Sequence, residues 1–316
     1  SWGVFTAGLM QLMWLVAASA KTGLLPKLSA PILSAPVSKF FALLGPAALG
    51  AGVAQVNLLI DVVLASLFAE GVSYLYFADR LNQLPIGVIG VAVGTALLPM
   101  LSRQYKLADL KAAHYSLNRG MELVLLFALP AMAAFLTIPE LLVSVLYEHG
   151  EFDAEDRAAT YRALMAYALG LPAFLLVKVL APGFFANEDT KTPFKIGLLC
   201  VIINLVLNLI LMQRYEHVGL ALATSASGWL NAALMAVVLQ RRGLLILDAA
   251  ARKRLPRFAM AALLMGISLW GGLKLDVISS IKLALLVIGG AGIYFAAIVG
   301  LGAMRPSEIK AYLRKQ

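Results

Sequence analysis

The sequence predicts an all-α, polytopic membrane protein with about nine transmembrane helices, on three observations. Hydrophobic residues fill 61% of its 316 positions and charged residues only 14%, against roughly 45–50% and 25% in soluble domains. The apolar residues collect into stretches of about 20, the length that crosses a ~30 Å hydrocarbon core at 1.5 Å rise per residue. Lysine and arginine concentrate in alternate breaks between those stretches, as they do on the cytoplasmic side of membrane proteins.

In order, the stretches cover 2–20, 41–68, 73–101, 120–147, 159–186, 196–213, 218–240, 258–274 and 283–303. Turn and charge signals separate them: Lys21 to Lys39 with Pro26, Pro31 and Pro36, then Glu70-Gly71, Arg103 to Arg119, Glu148 to Arg157, Asn187 to Lys195 and Arg241 to Arg257. Assigning alternate breaks to one side leaves only Arg157, Arg162, Arg214, Lys274 and Lys282 on the other. One miscounted span would destroy that asymmetry. It places the C-terminus inside and the acidic run Glu148, Glu151, Asp153, Glu155, Asp156 outside. The chain opens in an apolar stretch, Ser1-Trp2-Gly3-Val4-Phe5, without the charged start of a signal peptide. It is therefore expected to be a fragment lacking its N-terminal part.

Several function classes lose support at once. Cys200 is the single cysteine, so neither a disulfide framework nor a cysteine metal site is available. His114, His149 and His217 fall in expected loops and form no His-x-x-x-His pair. No nucleophile with a base and no acid pair falls at one depth, so an enzyme is not expected. The net charge of +9 is carried by the inner loops, which set topology or hold anionic lipid heads, and does not call for nucleic acid.

The informative residues are the polar ones inside the spans. Burying a charge at the bilayer centre costs at least about 2.5–3.5 kcal/mol, so such groups face a partner or a wet cavity. Arg80 lies about 10 Å below the outer end of its helix, beside Asp79, Asn82 and Gln83. Either it snorkels to outer headgroups, or its planar fork grips a phosphate in a cavity. Asp61, Asn208 and Thr224 sit at one depth, roughly 8–10 Å below the outer boundary, with Asn204 one turn deeper. A carboxylate, two amides and a hydroxyl suit Na⁺, or Asp61 alone carries H⁺; the alternative is a set of interhelical hydrogen bonds. Lys178 is near the inner edge, within snorkelling reach. Pro130, Pro139, Pro172 and Pro182 should kink or break their spans, and Gly87, Gly90 and Gly94 allow close helix approach. Tyr74, Tyr76 and Phe77 fit an interfacial aromatic belt or a ligand cage.

Two stretches are specific enough to suggest a family. Gly45-Pro46-Ala-Ala-Leu-Gly50 is followed by Tyr76-Phe-Ala-Asp79-Arg80-Leu and Pro85-Ile-Gly87-Val-Ile-Gly90-Val-Ala-Val-Gly94-Thr95-Ala-Leu-Leu-Pro99. Then come Lys178-Val-Leu-Ala-Pro182-Gly183-Phe-Phe, Asp189-Thr-Lys191-Thr192-Pro193 and Asn231-Ala-Ala-Leu234 in the same order. Over nearly its whole length the chain resembles the MurJ (MviN) lipid II flippases of the exporter superfamily that includes the MATE transporters. The resemblance implies that 1–20 is the last helix of a first lobe, 21–40 a cytoplasmic linker and 41–240 a six-helix second lobe. Residues 241–257 become a basic cytoplasmic loop, and 258–316 two extra helices with a cytoplasmic tail. It further implies transfer of the undecaprenyl-diphosphate-linked peptidoglycan precursor from inner to outer leaflet by alternating access, in a bacterial inner membrane, by a monomer. Arg80, Asp79 and Asn82 would hold the diphosphate. Asp61, Asn204, Asn208 and Thr224 would match a coupling-cation site for Na⁺ or H⁺, with no other cofactor. A MATE-like exporter of drugs or oligosaccharide-lipids and a non-transporting scaffold remain the competing readings.

Overall fold

A computed structural model of the chain describes residues 2–23, 44, 52 and 55–304. Regular structure among the described residues is helical throughout. The expected linker, the Gly45-Pro46 stretch and the tail beyond 304 lie outside the described residues. The chain divides into two units, 1–42 and 43–316. The first holds α1 (Trp2–Lys21), whose one basic residue, Lys21, lies in its last turn. A helix apolar on every side suits hydrocarbon, and a terminal lysine can reach headgroups.

The second unit contains α2 (Gln55–Ala65), α3 (Gly71–Pro85), α4 (Val91–Lys106), α5 (Leu110–Thr137), α6 (Pro139–Tyr147), α7 (Ala154–Phe185), α8 (Lys191–Arg241), α9 (Ala249–Gly272) and α10 (Ser279–Gly300). Six helices among the described residues are long and apolar enough to cross a membrane. One of them is the continuous rod of α3 and α4, joined through a π-helical turn at Ile86–Gly90. Pro85 offers no N–H to the Leu81 carbonyl, and the turn that follows is widened. A Cβ at Gly90 would come 3.1 Å from Leu175 Cδ2 and 3.3 Å from Lys178 Cγ, so glycine is what lets α7 cross this rod closely.

α8 is a hairpin whose arms, 191–215 and 217–241, reverse at Glu216 with φ 50° and ψ −133°. A Cβ at Gly219 would stand 2.5 Å from the Leu211 carbonyl oxygen, so only glycine lets the arms close this tightly. Ser227 Oγ donates to the Cys200 carbonyl at 2.9 Å across the arms. This reversal agrees with the two stretches read from the sequence.

Other boundaries moved. The break expected from Arg103 to Arg119 shrinks to 107–109, because α4 continues through Lys106 and Asp109 caps α5 by accepting from Ala112 N at 3.0 Å. On the expected outer side α7 begins at Ala154, where Asp153 and Asp156 form a capping box. The 120–147 stretch divides at Ile138, just before Pro139, into α5 and α6. Hydropathy marks where the apolar environment ends, whereas caps and prolines mark where a helix ends.

α9 and α10 are attached to α5 by polar contacts at two levels. Pro130 leaves the Leu126 carbonyl without its usual helical donor, and Tyr294 of α10 donates its hydroxyl to that oxygen at 2.6 Å. Nearer the expected inner side, the buried Glu122 pairs with Arg119 at 2.6 Å and Arg254 at 3.1 Å, and Arg119 also reaches Asp248 at 2.7 Å. Asp248 in turn caps α9 by accepting from Ala251 N at 2.6 Å. Part of the basic loop is therefore a brace holding α9 to α5, a use beyond setting topology. Replacing Tyr294 by phenylalanine should destabilise the protein by about 0.6–1.7 kcal/mol, the range for interhelical hydrogen bonds in membranes. Thermal unfolding in detergent should show a lowered midpoint; an unchanged midpoint would mean that the Leu126 carbonyl does not need this donor.

Candidate functional site

The sequence placed Asp61, Asn208 and Thr224 at one level with Asn204 one turn deeper, and the fold brings all four into contact. α2 supplies Asp61 and the two arms of α8 supply the rest. Asn208 Nδ2 donates to Asp61 Oδ1 at 2.7 Å and to Asn204 Oδ1 at 3.0 Å. Thr224 Oγ1 donates to Asp61 Oδ2 at 3.3 Å, and Asn204 Nδ2 to Thr224 Oγ1 at 3.4 Å. Asn204 and Asn208 are buried. The interhelical hydrogen bonds weighed as the alternative are therefore present.

They do not exhaust the oxygens. Among the described residues Asn208 Oδ1 is buried without a hydrogen-bond partner, and so is Asn57 Oδ1 on α2, whose amide nitrogen reaches Asp61 Oδ2 at 3.4 Å. Asn57 is a site residue the sequence reading missed. Its signal was the spacing, since positions four apart on a helix share a face. An unpaired buried carbonyl costs about 1–3 kcal/mol unless something else pairs with it. The set consists of one carboxylate and several neutral oxygens, hard donors of low total charge that fit a monovalent cation.

A second polar group lies on α3. Tyr76, Arg80 and Gln83 recur at helical spacing, and all three are exposed on one face of the rod. Arg80 Nη2 donates to the Tyr76 hydroxyl at 2.8 Å, with the guanidinium carbon 4.7 Å from the centre of that ring. Tyr76 thus holds the guanidinium from one side and leaves its remaining donors open. Asp79 accepts a hydrogen bond from Gln83 and forms no ion pair with Arg80. Asn82 faces inward, buried, with its carbonyl oxygen unpaired. The fold therefore does not bring Asn82 to the exposed face that carries Arg80. Tyr167 of α7 is buried.

The remaining sequence candidates have structural work. Lys178 is exposed, and its stem runs over Gly90. Phe77 packs with Tyr147 at 5.0 Å and Phe152 at 5.4 Å between ring centres, a small aromatic cluster at the expected outer end. In the Asp189-Thr-Lys191-Thr192-Pro193 turn, Asp189 accepts from Thr192 N at 2.9 Å and from Arg242 at 2.6 Å. That motif ties the start of α8 to its end.

A family model for the lipid II flippase MurJ matches residues 1–287. The chain belongs to the MurJ lipid II flippase family. Among curated MurJ relatives, the probable lipid II flippase of Rhizobium meliloti (strain 1021) is 37% identical, with 100% of this chain and 61% of the relative covered. The one from Vibrio cholerae is 36% identical, covering 98% and 60%. The lipid II flippase of Burkholderia cenocepacia is 33% identical, covering 77% and 48%. The chain thus spans about half to three-fifths of the length of these MurJ proteins. A solved lipid II flippase MurJ in an inward closed conformation superposes with a TM-score of 0.71 at 25% identity, over 85% of this chain and 55% of that one. A MOP superfamily transporter from Pyrococcus furiosus shares the fold, with a TM-score of 0.53 at 14% identity over 83% and 64%. MurJ proteins are named as flippases, which are transporters, and the long apolar helices make this member a multi-pass membrane protein.

The Asp61 contacts can be checked directly. Asn208→Leu removes the shortest donor to the carboxylate and should cost about 1–3 kcal/mol, the price of stranding a buried polar group. A thermal midpoint equal to that of the native protein would show that α2 is not held by this contact.

Proposed function

We propose that the protein carrying this chain moves the undecaprenyl-diphosphate-linked peptidoglycan precursor from the inner to the outer leaflet by alternating access. What carries the reading is Arg80, a guanidinium on an exposed face of a membrane-depth helix, held by Tyr76 and, among the described residues, without a carboxylate within ion-pair distance. Facing lipid, such a group would be costly. Facing a wet cavity, its free donors fit two phosphate oxygens in a bidentate pair. Gln83 on the same face and Asp79 one residue away keep that surface polar. A cationic drug would favour a carboxylate-lined wall, so the arginine favours a phosphorylated cargo over the MATE-like alternative. The membrane is the bacterial inner membrane, with the C-terminus cytoplasmic, on the asymmetry of loop charges. The second unit up to about residue 240 acts as one lobe, with α9 and α10 as its extension.

Transport is coupled to Na⁺ at Asp61. A proton on that carboxylate adds one O–H donor, enough for at most one of the unpaired Asn208 and Asn57 carbonyl oxygens, whereas a single cation can be ligated by both. Asp61 supplies the charge, and Asn57, Asn204, Asn208 and Thr224 supply neutral oxygens.

Two experiments test these assignments. In cells depleted of their own flippase, the full-length protein with Arg80→Ala should reach the membrane at normal levels yet fail to support growth. Arg80→Lys should rescue only in part because it lacks the planar fork; normal growth of the alanine variant overturns the diphosphate role. For the cation, exchanging choline for sodium at saturating concentration should stabilise the native protein, by about 2.7 kcal/mol at one hundred times the dissociation constant. The shift should vanish in Asp61→Asn. A sodium shift that survives this substitution places the ion elsewhere.

A further inference from the structure

We propose that the cleft between α7 and the α8 turn binds the phosphate head of an anionic glycerophospholipid, with one acyl chain lying along its apolar floor. The cleft encloses about 470 Å³. The exposed Arg162, Arg214, Tyr215 and Glu216 form its rim, above the half-buried Leu136, Met165 and Leu222 and the buried His217. The argument rests on the pairing of charges and on their depth.

Arginine is scarce on this side of the protein, and the neighbouring Arg157 is already neutralised. It makes two hydrogen bonds to Glu148, at 2.7 and 2.8 Å, which hold the Glu148 carboxyl below the usual carboxylate range. Arg162 and Arg214 make no ion pair or hydrogen bond among the described residues. Arg214 has only the ring of Tyr215 beside it, 5.8 Å away. Glu216 is the one carboxylate lining the cleft, so two guanidinia face one opposite charge. The surplus is positive, and guanidinia bind phosphate oxygens through short charge-assisted hydrogen bonds.

The depths match a lipid. Arg214 lies two residues before the α8 reversal, while Leu222 lies about 9 Å beyond it along the second arm. Leu169, also lining the cleft, lies about 10 Å below Arg162 on α7. Cations therefore sit at the level of headgroups and aliphatic side chains at the level of acyl chains. A free anion would use the rim and leave the floor exposed; a glycerophospholipid covers both. The site is separate from Arg80 and Asp61, and it does not depend on the transport reading.

The test is lipid binding by the purified, delipidated protein, followed by native mass spectrometry. Titration with phosphatidylglycerol should fill one tight site. Diacylglycerol with the same tails, and inorganic diphosphate, should bind at least about tenfold more weakly, a difference of about 1.4 kcal/mol. The double substitution Arg162→Gln and Arg214→Gln should weaken phosphatidylglycerol by a similar factor, while Arg252→Gln with Lys253→Gln, near the start of α9, should not. Both rim arginines are exposed, and size-exclusion chromatography checks that the variant is folded. Replacing both by lysine keeps the charge and should retain binding. The proposal is overturned if the glutamine variant holds phosphatidylglycerol as tightly as the native protein, or if diacylglycerol or diphosphate binds equally well. Displacement of phosphatidylglycerol by undecaprenyl diphosphate, one for one, would also overturn it, assigning the cleft to the cargo. Complementation of growth is scored separately, so loss of the lipid site and loss of transport are distinguishable.

Discussion

In a hydrocarbon core no water is available to complete a hydrogen bond, so every polar group must find its partner within the protein or line a wet cavity. That constraint organises this chain. Where Pro130 removes a donor from α5, Tyr294 supplies one from another helix. Where Glu122 is buried, Arg119 and Arg254 reach it from two directions. These contacts contribute modestly to net stability, because a buried ion pair loses in desolvation much of what it gains by attraction. Their larger effect is on geometry, fixing the register of α9 and α10 against α5 alongside apolar contacts such as that of Gly266 with Thr137 and Ala133.

The same constraint separates structural from functional polarity. Asp189, Thr192 and Arg242 satisfy one another at a turn, as do Asn118 and the 243–248 segment. Among the described residues Asn208 and Asn57 each keep an oxygen without a donor, and Arg80 keeps donors without an acceptor. Glu122 and Arg119 in the brace also keep an atom unpaired, but each has an ion-pair partner; Asp61 and Arg80 have none among the described residues, and that distinguishes the two candidate sites from the braces around them.

Much of this was legible in the sequence, for identifiable reasons. Span length and loop charge depend on bilayer thickness and on the cost of moving cations across it, both of which act residue by residue. Converting position to depth therefore brought Asp61, Asn208 and Thr224 to one level before any packing was known. Packing was not legible. That Asn82 would point inward while Tyr76 and Arg80 stay exposed depends on the rotation of α3 against its neighbours. Helix ends were misjudged for a different reason: Asp109 and Asp153 cap helices that extend past the apolar stretch, and hydropathy is blind to capping. Asn57 was overlooked although its spacing from Asp61 placed it on the same face.

The one-residue reversal at Glu216 has a mechanical consequence. With its arms joined by so short a turn and packed around Gly219, the hairpin can only shift as a single block, carrying Asn204, Asn208 and Thr224 with it. Asp61 rides on a different helix. Any movement that parts α2 from the hairpin therefore splits the carboxylate from its ligating oxygens at one seam, and an ion bridging that seam would act as a clasp whose release and re-engagement sets when the lobe can rearrange.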